Sequence, residues 1–119
     1  MTASAGLDGW TESFPGPPAL RRLEHPIPVE VDMSLALPGD SGFTRADQLP
    51  LRVRAGCIRI EATMSGTLYH WLRVADGRWL AQVCVPVASA NGHSRLDLWL
   101  WVDAGTVSQQ PDDPIRREA

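Results

Sequence analysis

Residues 67–103 read TLYHWLRVADGRWLAQVCVPVASANGHSRLDLWLWVD and decide the fold, because apolar and polar side chains alternate along three successive segments. A period of two is the period of a β-strand, whose neighbouring side chains point to opposite faces. One face is predicted to be buried and mainly aliphatic, and it comprises Leu68, Leu72, Val74, Trp79, Ala81, Val83, Val85, Val87, Leu96, Leu98, Leu100 and Val102. The pattern therefore predicts three strands of one sheet.

The opposite face of these strands mixes aromatic rings with arginine, and its candidate binding residues are Tyr69, Trp71, Arg73, Arg78, Arg95, Trp99 and Trp101. Such residues dominate binding hot spots because each provides a large contact area at a small cost in rotamer entropy. We expect the face to bind a protein partner, a second copy of the chain, or the bases of a single-stranded nucleic acid. Alternatively, the N-terminal strand or arm covers the rings within the monomer, since large exposed apolar patches are rare on soluble monomers.

Two dipeptides predict the turns of this sheet. Asp76-Gly77 is a strong signal for a two-residue hairpin loop, which would pair Leu72 with Ala81. Ser65-Gly66 is a weaker signal of the same kind. A two-residue loop there would place Glu61 opposite His70 and would place Ile58 and Ile60 on the aromatic face. A three-residue loop would place Ile58 and Ile60 on the opposite face.

Two further strands are predicted upstream. Residues 27–37 alternate without interruption, and residues 51–64 alternate with a change of phase at Ala55-Gly56 that suggests a bulge or bend. A short closing strand is expected over residues 106–109. We therefore expect an all-β fold, a small antiparallel meander of five to six strands that curls into an SH3-like or OB-like barrel.

The domain is expected to span residues 27–109. Residues 1–26 are predicted to form a flexible arm rich in proline and glycine, and residues 110–119 a disordered tail. Within the arm, residues 10–18 (WTESFPGPP) resemble a docking peptide in composition, although the same residues suit a strap that lies on the domain's own surface.

The composition of the chain limits the classes of partner that it is expected to bind. The net charge of -3 disfavours nucleic acid, because binding to phosphates needs a positive surface. All eleven cationic side chains are arginine, which indicates a high-GC bacterial genome. No apolar run is long enough for a membrane span, and the first twenty residues do not resemble a secretion signal. A cytoplasmic protein that does not associate with a membrane is the expectation.

Chemistry-bearing residues are few and scattered. Their spacing indicates neither a metal site nor a cofactor, and we predict none; the residues concerned are His25, His70, His93, Cys57 and Cys84. A Glu61–His70 couple could transfer protons if the two faced each other across a hairpin. An ordinary cross-strand ion pair is the preferred interpretation of that couple.

Three functions follow, in order of preference. The first is a non-enzymatic binding or accessory module, an adaptor that engages a protein partner or itself through the aromatic and arginine face, with no catalytic residues. The second is a small barrel that binds single-stranded nucleic acid through the same face. The third is a small enzyme or enzyme subunit that uses Glu61 and His70.

Overall fold

A computed structural model of the chain describes residues 6–38 and 49–110. It contains a sheet of five strands, which are β1 (Leu20–Asp32), β2 (Thr63–Arg73), β3 (Trp79–Ala88), β4 (Arg95–Asp103) and β5 (Val107–Gln109). Within the described residues, two short α-helices and a 3-10 helix accompany the sheet: α1 (Met33–Ala36), α2 (Leu51–Ala55) and the 3-10 helix Ala104–Thr106. Residues 39–48, most of the predicted C-terminal tail and the start of the predicted arm lie outside the described residues.

The strands lie in the order β4-β3-β2-β1-β5, and every neighbouring pair is antiparallel. The sheet curls into a half-barrel. This confirms the predicted all-β class, the antiparallel pairing and the number of strands. The strands from β1 to β4 follow one another as a meander, and β5 returns to pair with β1.

The core lies on the concave face of the curled sheet, where the fully buried side chains are aliphatic. Val31, Val83 and Val85 have no exposed surface. Helix α1 contacts β1, β2, β4 and the 3-10 helix, and it places Met33 in the core. Asp32 caps this helix, because its Oδ1 accepts hydrogen bonds from the amide and the hydroxyl of Ser34.

The predicted turn at Ser65-Gly66 is wrong, because both residues lie within β2. Ser65 pairs with Glu30 of β1, and Gly66 pairs with Val29. Gly66 is buried, and its missing Cβ allows the backbone of β3 to approach. The glycine therefore serves a close approach between strands, and the chain does not reverse there.

The predicted strand over residues 51–64 is also wrong for most of its length. Residues Leu51–Ala55 form α2, and the following segment contributes one isolated bridge, between Ile58 and Ser89. No residue of α2 is buried. Alternation over five residues that have no buried face does not select a strand, whereas leucine, arginine and alanine all favour helix.

Strand β1 differs from its predicted bounds at both ends. It begins at Leu20, within the predicted arm, and it ends at Asp32, after which α1 replaces the predicted continuation of the strand to residue 37. An irregularity between Arg22 and Ile27 interrupts its pairing with β2. Pro26 lies in that irregularity, as expected for a residue that has no amide hydrogen for a sheet ladder.

The hairpin at Asp76-Gly77 is confirmed, but its loop has three residues, 75–77. The amide of Val74 donates to the carbonyl of Arg78 at 2.8 Å, and the amide of Gly77 donates to the carbonyl of Val74 at 2.8 Å. Gly77 has a φ of 98°, as the last position of such a loop requires. The predicted pairing of Leu72 with Ala81 is therefore wrong by one residue, because Leu72 pairs with Leu80.

In the β3–β4 hairpin, the aliphatic residues of the two strands share one face, as predicted. Val83 pairs with Leu100, and Val85 pairs with Leu98, on the concave face. Strand β5 covers most of the predicted closing strand. Across the described ranges 6–38 and 49–110, no helix is long and apolar enough to cross a membrane.

Candidate protein-binding surface

The observed register separates the seven predicted binding residues. Four of them lie on the convex face of the sheet, because Arg95 alternates in regular register with Trp99 and Trp101 along β4. We call the three aromatic members of this set, Tyr69, Trp99 and Trp101, the aromatic patch. Trp71 pairs with the fully buried Ala81 and packs against the core, so it lies on the concave face. A second irregularity in β2, between Leu68 and His70, changes the phase of the strand and produces this separation.

Two rings of the aromatic patch pack against each other, and both of its indoles are partly exposed. The centroids of Tyr69 and Trp99 are 5.0 Å apart, and the ring planes are tilted by 47°. Tilted pairs at this separation are favourable, because the ring edge of one meets the electron-rich face of the other. Trp99 is 37% exposed and Trp101 is 38% exposed. The patch is therefore held in place but retains accessible indole surface.

A buried polar pair lies next to the aromatic patch. His70 is 2% exposed, and its Nδ1 lies 2.6 Å from Oε1 of Gln82, which in turn pairs with Trp101 across β3 and β4. Nε2 of His70 is buried and has no hydrogen-bond partner among the described residues. An amide oxygen can only accept a hydrogen bond, so Nδ1 of His70 is the donor in this pair.

The buried thiol of Cys84 pairs with Trp99 on the neighbouring strand. Burial raises the pKa of this thiol above its ordinary value, and the negative charge of Asp97 raises it further. A raised pKa leaves less of the nucleophilic thiolate at neutral pH, so the thiol is suited to packing and not to covalent catalysis.

Strand β4 has a free edge beside the aromatic patch. Over the part of the chain that the structure describes, β4 pairs with β3 and with no other strand. Free edges are ordinarily protected by lysine, proline, a bulge or a very short strand. β4 has nine residues in regular register, and Asp97 is the one charged residue between its two ends. The edge thus offers unpaired backbone donors and acceptors to another strand.

A second aromatic cluster lies on the concave face at the C-terminal end of β2. The guanidinium carbon of Arg21 lies 4.6 Å from the ring centroid of Trp79, and that of Arg73 lies 5.2 Å from it. With Trp71 and Ala104, Arg21 and Trp79 line a cavity of about 320 Å³. Sequence reasoning missed Arg21, which it assigned to the arm, and assigned Trp79 to the core.

The N-terminal segment is tied to the sheet through Glu12. Its carboxylate accepts hydrogen bonds from the amides of Ala19 and Leu20, at 2.9 and 3.0 Å, and from the indole of Trp10 at 2.6 Å. These bonds lower the pKa of Glu12, first through Ala19, then Trp10, then Leu20. Phe14, between the tied ends, is 83% exposed. The hydrogen bonds of Glu12 therefore hold the described part of the arm at the start of β1.

The two remaining predicted arginines lie apart from the aromatic patch rings. Nε of Arg78, in the β2–β3 hairpin, lies 2.9 Å from Oδ2 of Asp76, and its Nη1 lies 3.6 Å from Oδ1 of Asp103. Arg95 lies at the start of β4, where it lines an open cleft of about 850 Å³ with Glu61 and Asp97. Arg95 forms no ion pair with any described residue.

The predicted Glu61–His70 pair is wrong. Because β2 continues through residues 65 and 66, Glu61 precedes the start of the strand and His70 lies near its other end. The neighbours of His70 are Arg22 and Gln82, and Glu61 instead lies 3.6 Å from Arg59 at an exposed position. The couple that the enzyme hypothesis required is therefore not formed.

The described residues contain no cluster of three or more histidine, cysteine, aspartate or glutamate side chains that could hold a metal ion. No family model, no curated protein and no solved structure matches the chain.

Proposed function

We propose that this chain is a non-enzymatic protein-binding module, and that its binding element is the free edge of β4 together with the aromatic patch. The observation that carries the proposal is the nine-residue outer edge of β4, which no other described strand pairs with and which bears two partly exposed tryptophans, Trp99 and Trp101. An extended partner segment can add to such an edge as a further strand.

The two parts of this surface provide different contributions. Backbone hydrogen bonds along the edge provide affinity without regard to sequence, and the indoles provide contact area that selects the partner's side chains. Tyr69 packs against Trp99 and limits the motion of its ring, so less rotamer entropy is lost when a partner binds.

The strand order supports the SH3-like arrangement over the OB-like one. A meander from β1 to β4 is followed by a 3-10 helix, and the final strand returns to pair with β1. The free thiols of Cys57 and Cys84 support a reducing compartment, which agrees with the proposed cytoplasmic adaptor. The lysine-free sequence supports an origin in a high-GC bacterium.

Capture by the tagged chain tests the proposal. Trp99→Ala combined with Trp101→Ala should reduce capture of partner proteins, including untagged copies of the chain, by about tenfold or more, as expected for hot-spot tryptophans. Trp10→Ala is the matched control, because Trp10 is 46% exposed and lies on the N-terminal segment. Unchanged capture by the folded double variant, with folding checked by circular dichroism, would show that this surface is not the binding site.

Single-stranded nucleic acid is the second candidate, and the contacts of Arg21 and Arg73 with Trp79 favour it. Aromatic rings can stack on bases while arginines neutralise phosphates. The net charge of -3 opposes this function. Anisotropy of a labelled mixed-sequence oligonucleotide tests it: binding that weakens with added salt and is lost in Arg21→Ala/Arg73→Ala supports it, and absence of binding at low salt removes it.

A further inference from the structure

We infer that the strand that adds to β4 is the β4 strand of a second copy, aligned antiparallel so that the two Trp99 residues face each other across a two-fold axis. The inference rests on the proposed function of the β4 edge, for which it names the partner. A self-pairing edge is an isologous contact, in which one patch must be complementary to itself.

Charge supplies the first evidence of self-complementarity. In the register centred on Trp99, Arg95 of each copy lies opposite Asp103 of the other, because residue numbers of paired positions add to the same total in an antiparallel pair. Opposite charges that face each other across strands are stabilising. The symmetry produces this ion pair twice, once at each end of the joined strands.

Both side chains are available for that pairing. Arg95 is exposed and has no ion-pair partner among the residues described. The side chain of Asp103 is 49% exposed; its Oδ2 accepts from the amide of Gly105, and its Oδ1 is 3.6 Å from Arg78. A carboxylate has lone pairs for further donors, so Asp103 can accept a second guanidinium.

The concave face of β4 supplies the second evidence. In the same register, Leu96 faces Val102 of the other copy, and Leu98 faces Leu100. Every such pair is apolar. Leu96 is 49% exposed at the edge of the monomer, so a second strand would cover aliphatic surface that the monomer leaves open. On the convex face, the two Trp99 indoles would meet at the axis.

Other registers also keep the convex faces of the two copies on the same side of the joined sheet, but the two nearest ones are less favourable. A register centred on Leu100 places Asp97 opposite Asp103, and like charges directly opposite each other are destabilising. A register centred on Leu98 places Arg95 opposite Trp101 and removes both ion pairs. Charge therefore selects the register centred on Trp99.

A charge exchange tests the register. Sedimentation and light scattering over a concentration series of the full chain should show a dimer. Arg95→Asp and Asp103→Arg should each weaken dimerisation by about tenfold or more, because each turns two attractive pairs into two repulsive ones. The double variant Arg95→Asp/Asp103→Arg restores opposite charges and should recover the dimer. Arg52→Asp and Asp8→Arg are controls with the same changes in net charge at exposed sites.

Asp103 also caps the 3-10 helix, so Asp103→Asn provides a variant that keeps an oxygen for the amide of Gly105. It should weaken the dimer less than Asp103→Arg does. A wild-type chain that stays monomeric at every concentration, or a dimer that none of the exchanges alters, would overturn the inference. If partner capture that requires Trp99 and Trp101 persists in either case, the proposed function survives and another protein supplies the strand.

Discussion

Gly66 lies so close to the backbone of Cys84 that a Cβ on Gly66 would be 2.9 Å from the carbonyl oxygen of Cys84. The same Cβ would lie 3.1 Å from Cγ2 of Val85, a side chain with no exposed surface. Because neither the backbone of β3 nor a fully packed valine can move freely, the approach of β2 to β3 at this point requires glycine.

Gly66→Ala should therefore destabilise the protein, by about 1–3 kcal/mol in the free energy of unfolding, as overpacked cores do. Urea denaturation of both variants measures the effect. Gly9→Ala is the control, because a Cβ there would meet nothing within 4 Å. Equal stability of Gly66→Ala and the wild type would show that the two strands are further apart than described.

The three-residue β2–β3 loop makes a separate prediction at Gly77. Its φ of 98° lies in the left-handed region, where a Cβ costs about 1–2 kcal/mol. Gly77→Ala should lower the free energy of unfolding by about that amount. Gly56, with a φ of -90°, is the matched control, and Gly56→Ala should not lose stability in the same denaturation experiment. Equal stability of Gly77→Ala and Gly56→Ala would show that Gly77 does not need a left-handed backbone.

The His70–Gln82 hydrogen bond predicts a non-additive pair of substitutions. Gln82→Leu leaves the buried imidazole N–H without an acceptor, and His70→Leu leaves the amide oxygen without its donor; each should cost about 1–3 kcal/mol. Replacing both should cost less than the sum, because neither polar group is then left unpaired. A double-mutant cycle by denaturation measures the difference. Simple additivity would mean that the 2.6 Å contact does not couple the two residues.

Glu12 predicts a pH dependence of the N-terminal segment. Its folded pKa is lowered, so the hydrogen bonds of its carboxylate are present at neutral pH and are lost as the pH falls through the folded value. The indole N–H resonance of Trp10 should therefore move in a transition below the ordinary glutamate pKa. Glu12→Gln should abolish that transition, whereas Glu24→Gln, at an exposed position of β1, should leave it unchanged. Persistence of the transition in Glu12→Gln would assign it to another group.

The most predictable part of the fold is the β3–β4 hairpin. Its alternation extends over enough residues to identify the strands and their buried face, and Val83 and Val85 indeed have no exposed surface. Residues 51–55 carry a similar alternation over a single short segment, but they form an exposed helix. Period-two patterning is informative where a face is buried and ambiguous where none is, since burial is the property that the pattern reports.

The candidate site could be predicted only in part. Period-two alternation predicts Trp99 and Trp101 on one face, and β4 keeps that alternation because it pairs regularly with β3. The same alternation predicts Trp71 on that face as well. The irregularity between Leu68 and His70 instead places Trp71 on the concave face, beside Trp79. Arg21 contacts Trp79 because β1 begins at Leu20, earlier than the alternation from residue 27 predicts. One additional residue in a loop or bulge reverses every side chain beyond it, and no local pattern records that shift.

The amino-acid sequence by itself determined that the chain forms an antiparallel β domain with an aliphatic side and tryptophans on β4, because local alternation and one Asp-Gly turn are enough to specify those features. The tertiary structure alone decided that Trp71 leaves the face of Trp99 and Trp101, that Gly66 belongs to a strand, and that no strand within residues 6–38 and 49–110 pairs with the outer edge of β4. These features depend on pairing between residues distant in the chain, where the contacts of the assembled sheet select one register over another.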